Sequence, residues 1–186
     1  EVAYTCPKDG GNLDILLDYQ SLKKKFQAED ITSRGDFSLW RYLPLLPVNE
    51  LAGGSTPLHT AGGTPVFKLP TLAKQLGLQN LWLKDESRNP TASFKDRASA
   101  IVVAREREIG AEVIVTASTG NAGAALAGMS ASVGQKAIIF APKSAPPAKV
   151  AQLLIFGAKV ILVDGSYDEA FDLTVKCADE FGWYCR

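Results

Sequence analysis

The sequence of 186 residues has few of the residues on which many catalytic and metal sites depend. Its only histidine, His59, lies in a stretch rich in glycine and proline, which predicts a solvated position and leaves no Ser-His-Asp set. The three cysteines, Cys6, Cys177 and Cys185, are irregularly spaced, which argues against a disulfide framework and favours a reducing, cytoplasmic setting. The segment CPKDGG at residues 6–11 resembles half of a zinc knuckle, but zinc needs about four ligands, so we predict no metal site.

An excess of charge and a long apolar run are also missing. Twenty Lys and Arg residues balance 20 Asp and Glu residues, so no basic surface for nucleic acid is predicted. Gly, Pro or a charged residue interrupts every apolar run before the ~18 residues that a membrane span needs. Neither the dinucleotide fingerprint GxGxxG nor a Walker A loop is present. The sequence therefore predicts a globular protein with no nucleic-acid or membrane partner.

The first third of the chain reads as an irregular arm. Prolines and glycines recur through residues 1–65, and the stretch from Trp40 to Val48 mixes large apolar side chains with prolines. This pattern suits an arm that lies over a core. Met129 is the only methionine, and the sequence stops after Trp183–Arg186, which reads as the start of a strand. We therefore expect the chain to be the N-terminal part of a longer protein.

A regular rhythm of strand, helix and glycine begins at residue 66. Apolar strands start near residues 112, 136, 159 and 183, and each of the first three is followed by a helix that ends at a glycine. This pattern predicts βαβ units, and hence an α/β fold with a parallel, doubly wound sheet in residues 66–186. Further elements are predicted before these units: a helix over 69–76, a strand over 80–84, and a helix that starts at Ser93 as its N-cap and ends at Gly110.

One motif places a lysine at the start of a helix, behind a segment rich in turn residues. Residues 89–97 read NPTASFKDR. An amine attacks a carbonyl only in its neutral form, which the dipole of a helix N-terminus favours and burial beside Phe94 would favour further. Lys95 is therefore a candidate nucleophile, and the alternative is a surface lysine in a first helical turn. Asp96 and Arg97 are expected to pair with other protein groups.

A second motif follows the strand at residues 112–117. Residues 118–123 read STGNAG, in which two hydroxyls, a glycine and a carboxamide precede a helix of small residues. Backbone N–H groups at such a helix start bind a carboxylate or a phosphate, and ligands in parallel sheets lie at the carboxyl ends of strands. The alternative is tight helix packing with Asn121 as an N-cap. An amine beside an anion cradle is the arrangement that a pyridoxal phosphate enzyme needs.

With these motifs, the chain resembles the threonine synthases of the tryptophan-synthase-β-like family, which are pyridoxal phosphate enzymes of fold type II. The resemblance runs over nearly the whole chain and keeps the family's order. It rests on CPxxGG at 6–11, LWRY and LLPV within 39–48, GxTPL at 54–58, KDExxNPT and SFKDR within 84–97, and STGNAG at 118–123. It implies pyridoxal 5'-phosphate as cofactor and the conversion of O-phosphohomoserine and water into threonine and phosphate.

The resemblance also implies roles for individual residues. Lys95 would hold the cofactor and then act as proton shuttle, Asn121 would contact the pyridine 3′-oxygen, and Phe94 would lie near the ring. The α-carboxylate of the substrate would be bound by residues of the second motif, namely Ser118, Thr119, Asn121 and Ala122. The complete protein would be a homodimer.

Two departures from the family pattern limit these expectations. Ala92 stands where the family usually has glycine, and its methyl group would crowd the loop if this position needs a positive φ. The family's loop for the cofactor phosphate and the residue at the pyridine nitrogen would lie C-terminal to residue 186. We therefore expect the isolated chain to be inactive. A sister enzyme, such as a threonine or serine dehydratase or a cysteine synthase, is the alternative for the complete protein.

Overall fold

In a computed structural model, which describes residues 5–33, 35–49 and 56–186, the chain forms two sheets. The smaller sheet is an antiparallel pair, β1 (Val66–Lys68) and β2 (Trp82–Lys84). The larger sheet is parallel, with the strand order β5-β4-β3-β6. Its strands are β3 (Val113–Ala117), β4 (Lys136–Pro142), β5 (Lys159–Val163) and β6 (Tyr184–Cys185). The predicted α/β class with a parallel sheet is confirmed.

Seven α-helices lie in the described part of the chain. They are α1 (Tyr19–Lys25), α2 (Ala28–Ser33), α3 (Pro70–Gln75), α4 (Lys95–Ile109), α5 (Asn121–Ser132), α6 (Pro147–Ile155) and α7 (Tyr167–Phe181). As predicted, α4 and α7 end at glycines, Gly110 and Gly182, whose φ angles of +70° and +66° are left-handed. None of the described helices combines the length and the apolar character that crossing a membrane requires.

The two faces of the parallel sheet are covered by different helices. Ile114 and Ile139 belong to a buried cluster that includes residues of α4, α5 and α6. Val115 and Phe140, their neighbours along β3 and β4, belong to a second cluster with residues of α7. Because side chains alternate along a strand, β3 and β4 are buried on both sides, as the central strands of a doubly wound fold require, whereas the edge strand β5 is largely exposed.

The strand order reverses at β3. From β3 the chain moves outward to β4 and then to β5, and after α7 it returns to place β6 on the other side of β3. In open parallel sheets, the ligand crevice lies at the carboxyl ends of the strands where the order reverses. The segment that follows β3, residues 118–120, therefore lies at the expected place for a ligand.

The described part of the N-terminal arm packs on the core. Trp40 is only 5% exposed and Leu58 only 1%, and both join the cluster that contains residues of α4 and α5. The indole Nε1 of Trp40 donates a hydrogen bond to the carbonyl of Leu58 over 2.7 Å. The solvated position expected for His59 is wrong, because its ring is half-buried with its centroid 6.1 Å from that of Trp40.

The N-terminal arm contains more regular structure than the predicted irregular segment. Helix α1 forms because the Asp18 carboxylate accepts a hydrogen bond from the N–H of Ser21, and a 3-10 helix spans Leu39–Leu45. Strand β1 was also not predicted, since three exposed residues carry no alternating pattern. Parts of the predicted arm, residues 1–4, 34 and 50–55, lie outside the described residues.

Candidate active site

Lys95 is the first residue of α4. The hydroxyl of Ser93 accepts a hydrogen bond from the Lys95 N–H over 3.1 Å, so Ser93 stabilises the helix start although Phe94 is the N-cap residue. The side chain of Lys95 is exposed, and that of Phe94 is 62% exposed. The expectation that Phe94 provides burial is therefore wrong for this chain. The first turn of α4 is buried on the face that carries Asp96 and Ser99, and Phe94 and Lys95 lie outside that face.

The segment before Lys95 is a tight, internally bonded loop. Asn89 is only 4% exposed, and its Oδ1 accepts a hydrogen bond from the N–H of Gly62 over 2.9 Å. Its carbonyl accepts a hydrogen bond from the N–H of Ala92 over 2.8 Å, which closes the turn. Ala92 has a φ of +58° and is the only residue other than glycine with a positive φ among the described residues. Ala92 therefore has the positive φ at which its methyl group is expected to crowd the loop.

The two residues after Lys95 are bound to other protein groups, which confirms the prediction for them. Asp96 is fully buried and accepts hydrogen bonds from the backbone N–H and the hydroxyl of Thr91. Arg97 forms a bidentate pair with Glu86, in which Nε lies 2.8 Å from Oε2 and Nη2 lies 2.9 Å from Oε1. These hydrogen bonds from Arg97 hold the pKa of Glu86 at about 2.

The second motif leaves the carboxyl end of β3 and enters α5. The N–H of Ser118 donates to the carbonyl of Phe140 over 3.1 Å, and the N–H of Gly120 donates to the Ser118 hydroxyl over 3.2 Å. Gly120 is the N-cap residue, without a side-chain capping bond, so the alternative of Asn121 as an N-cap is wrong. Asn121 is exposed, whereas Ser118, Thr119 and Ala122 are half-buried.

The first turn of α5 presents free hydrogen-bond donors. The backbone N–H groups of Asn121, Ala122 and Gly123 have no acceptor among the residues that the structure describes. A methyl group on Gly123 would collide with the carbonyl of Ser118, so glycine allows the loop to lie against the helix. Free N–H groups at the positive end of a helix bind an anion, as the sequence predicts for this segment.

The two motifs lie on neighbouring helices. A Cβ on Gly128 of α5 would lie 2.5 Å from Cγ2 of Thr91, so the segment 89–95 that leads to Lys95, here called the lysine loop, packs directly on this helix.

Two residues that the sequence did not indicate flank the second motif. The Tyr167 hydroxyl donates to the carbonyl of Ala117 over 3.2 Å, and Nη1 of Arg186 donates to the carbonyl of Ala122 over 2.9 Å. Both follow strands of the parallel sheet, β5 and β6, and this position is the only signal that could have indicated them.

Comparison with known families agrees with this geometry. The model of a family described as pyridoxal-phosphate dependent enzyme matches residues 58–186. The chain belongs to this family. Pyridoxal phosphate is the family's cofactor, and the residues described above fit it, since they offer a solvent-accessible amine on one helix start and a free anion cradle on the next.

Curated relatives of this chain include threonine synthases. That of Methanocaldococcus jannaschii is 41% identical over 181 residues, which are 97% of this chain and 44% of the relative. That of Methanosarcina acetivorans is 38% identical over 97% of this chain and 43% of the relative. The chain thus spans less than half the length of the relatives that it matches.

A solved structure supports the fold assignment. A crystal structure of O-ureido-L-serine synthase matches 70% of this chain and 43% of its own, with a TM-score of 0.64 and 26% sequence identity. The fold is therefore that of a fold type II pyridoxal phosphate enzyme, of which this chain covers only a part. This confirms the predicted fold class and the prediction that the chain covers only part of that fold.

Proposed function

We propose that the complete protein carrying this sequence is a threonine synthase that converts O-phosphohomoserine and water into threonine and phosphate. The observation that carries the proposal is the 41% identity to a threonine synthase over 97% of this chain. That range includes both the lysine loop and the anion cradle. The same likeness favours a threonine synthase over a sister enzyme that acts on a different amino acid.

In this proposal Lys95 has two roles. Its amine would hold the cofactor, and when it is not so bound it would take and return protons at the substrate carbons. Pyridoxal phosphate, when bound, supplies the electron sink that stabilises negative charge on those carbons. The exposed position of Lys95 at the start of α4 leaves its amine free for both roles.

The second motif binds and orients the substrate. The free N–H groups at the start of α5, with the hydroxyls of Ser118 and Thr119, receive the α-carboxylate, and the backbone of Asn121 and Ala122 belongs to this cradle. The carboxamide of Asn121 would contact the 3′-oxygen of the cofactor ring, and Phe94 would lie beside that ring. The proposal includes a cytoplasmic homodimer as the working form.

The test is the turnover of O-phosphohomoserine by the complete protein with added pyridoxal phosphate. Lys95→Ala should lower the rate of threonine formation by at least about 100-fold, as expected when a general acid–base group is removed. Lys136→Ala, at a lysine whose side chain is 72% exposed, is the matched control and should keep the rate of the unchanged protein. Full activity of Lys95→Ala would refute the assignment of Lys95, and consumption of threonine by the unchanged protein would identify a sister enzyme.

A further inference from the structure

We infer that Glu86 is a positioning residue for Lys95 and acts through its bidentate pair with Arg97. The inference rests on the proposed function, because it assigns the amine of Lys95 to the cofactor. Glu86 is the second residue after β2, and none of the hydrogen bonds of its side chain to described residues involves Lys95 or residues 118–123. Its contacts, however, reach both ends of the loop that carries Lys95.

The carboxylate of Glu86 is a hub of four hydrogen bonds from three side chains. Arg97 donates two of them, and the hydroxyl of Thr64 donates a third over 2.8 Å. The Nδ2 of Asn89 donates the fourth over 2.8 Å and also bonds the Glu86 carbonyl over 2.9 Å. Because a carboxylate accepts at both oxygens, Glu86 can hold all three partners at once.

The partners of Glu86 bracket Lys95 along the chain. Asn89 begins the loop and closes the turn that ends at Ala92, while Arg97 lies two residues beyond Lys95 in the first turn of α4. Fixing both ends determines where α4 begins and therefore in which direction its first side chain leaves the helix. The Lys95 side chain is exposed and forms no hydrogen bond or ion pair with the described residues, so no polar bond of its own sets that direction.

The same hub ties the lysine loop to the N-terminal arm. Nη2 of Arg97 also donates to the Thr64 hydroxyl over 3.2 Å, and the N–H of Gly62 donates to the Oδ1 of Asn89 over 2.9 Å. A Cβ on Gly62 would lie 2.5 Å from the backbone N of Leu39 and 3.1 Å from Nη1 of Arg97, so a larger residue would not fit between Leu39 and the Arg97 side chain. The arm residues Gly62 and Thr64 thus hold two of the side chains that bind Glu86, those of Asn89 and Arg97.

A neighbouring ion pair provides a matched control. Asp85, the residue before Glu86, pairs with Arg88 over 3.4 Å, and the Arg88 side chain is 70% exposed. In contrast, the side chains of Arg97 and Glu86 are 19% and 21% exposed. The Asp85 side chain is 25% exposed, but its only other hydrogen-bond partner is Ser87, and neither side chain of the pair is hydrogen-bonded to Asn89 or Arg97 in the described structure. An ion pair with so exposed an arginine contributes little. Loss of the Asp85 charge should therefore leave Lys95 undisturbed.

The experiment measures how readily Lys95 reacts with pyridoxal phosphate in the complete protein. Pyridoxal phosphate is added, the product is fixed with borohydride, and the label on Lys95 is quantified by peptide mass spectrometry relative to that on exposed Lys136. Glu86→Gln and Arg97→Lys should each lower this ratio by about tenfold, since small misplacements of a reacting group and loss of a bidentate fork have large effects. Asp85→Asn should keep the ratio of the unchanged protein.

A second reagent separates positioning from loss of structure. Acetic anhydride needs no bound geometry, so it should acetylate Lys95 to the same extent in all four proteins. Equal pyridoxal labelling in Glu86→Gln and the unchanged protein would overturn the inference alone. A parallel loss of acetylation would also overturn it, because it would indicate only a structural role. If Lys95 of the unchanged protein were labelled no more than Lys136, the proposed function would fail and the inference with it.

Discussion

Ala92 is the residue at which this chain carries local backbone strain. A side chain with a Cβ at a φ of +58° costs roughly 1–2 kcal/mol, and glycine has no such cost. The substitution Ala92→Gly relieves this strain, but glycine loses more conformational entropy on folding, which offsets part of the gain. The net effect should be a stabilisation of about 1 kcal/mol. Urea unfolding of the complete protein measures this difference.

The control for this substitution is Ala98→Gly, at an exposed position inside α4. There the backbone is helical, so glycine should destabilise the protein by about 1 kcal/mol. The two substitutions are chemically identical and should have opposite signs. A destabilising effect at both positions would mean that the loop relaxes around Ala92 without strain.

At the scale of elements, the contact between the β3–α5 loop and the first turn of α5 depends on Gly123. A methyl group there would meet the Ser118 carbonyl and would lie 3.4 Å from Cδ2 of Leu153. Gly123→Ala should therefore destabilise the protein by about 2 kcal/mol, the typical cost of overpacking, despite the better helix propensity of alanine. Thermal and urea unfolding measure the loss.

Gly120→Ala is the matched control for this element. Its added Cβ would meet nothing within 4 Å, and the φ of Gly120 is −95°, which alanine adopts freely. The loss of stability should be only about 0.5 kcal/mol, the effect of a weaker N-cap residue. If both substitutions cost the same, helix capping rather than the close approach to Ser118 would explain the Gly123 result.

The elements that could be predicted from the sequence are those with local signals. The units from β3 to α7 show apolar strands and glycine stops, so their order and type were predicted correctly. The bond between Glu86 and Arg97 could not be predicted, because 11 residues separate the partners and no helical or strand period joins them. The same holds for the contact of Gly62 with Asn89, across 27 residues. Such contacts depend on tertiary packing, and they shape the loop around Lys95.

At the scale of the whole molecule, two carboxyl groups have large pKa shifts of opposite direction, and each makes the stability depend on pH. Hydrogen bonds from Arg97 lower the pKa of Glu86 from 4.5 to about 2, so its contribution to stability is complete above pH 4.5 and is lost as the pH falls towards 2. Glu106 is fully buried in α4, and neither carboxylate oxygen has a hydrogen-bond partner of normal geometry among the described residues. Burial raises its pKa from 4.5 to about 7, against weaker effects of the Arg107 charge and of the Gln135 side chain.

The stability that Glu106 contributes changes with pH in the direction opposite to that of Glu86. The folded state binds the Glu106 proton more tightly than the unfolded state, so the stability from this group is complete below pH 4.5 and is lost as the pH rises towards 7. The two effects together predict a maximum of the unfolding free energy near pH 4.5. On the acid side, the contribution of Glu86 is on the order of 2 kcal/mol once solvent screening is considered.

The decisive variant for this pH profile is Glu106→Gln. Glutamine has the shape of the protonated acid and cannot ionise, so the loss of stability between pH 4.5 and 7, on the order of 3 kcal/mol, should disappear. Urea unfolding of the complete protein over that range measures the slope. Glu112→Gln, at a side chain that is 86% exposed, should leave the slope unchanged. An unaltered slope in Glu106→Gln would show that Glu106 finds a partner in the complete protein, and the stability maximum would then lie closer to neutral pH.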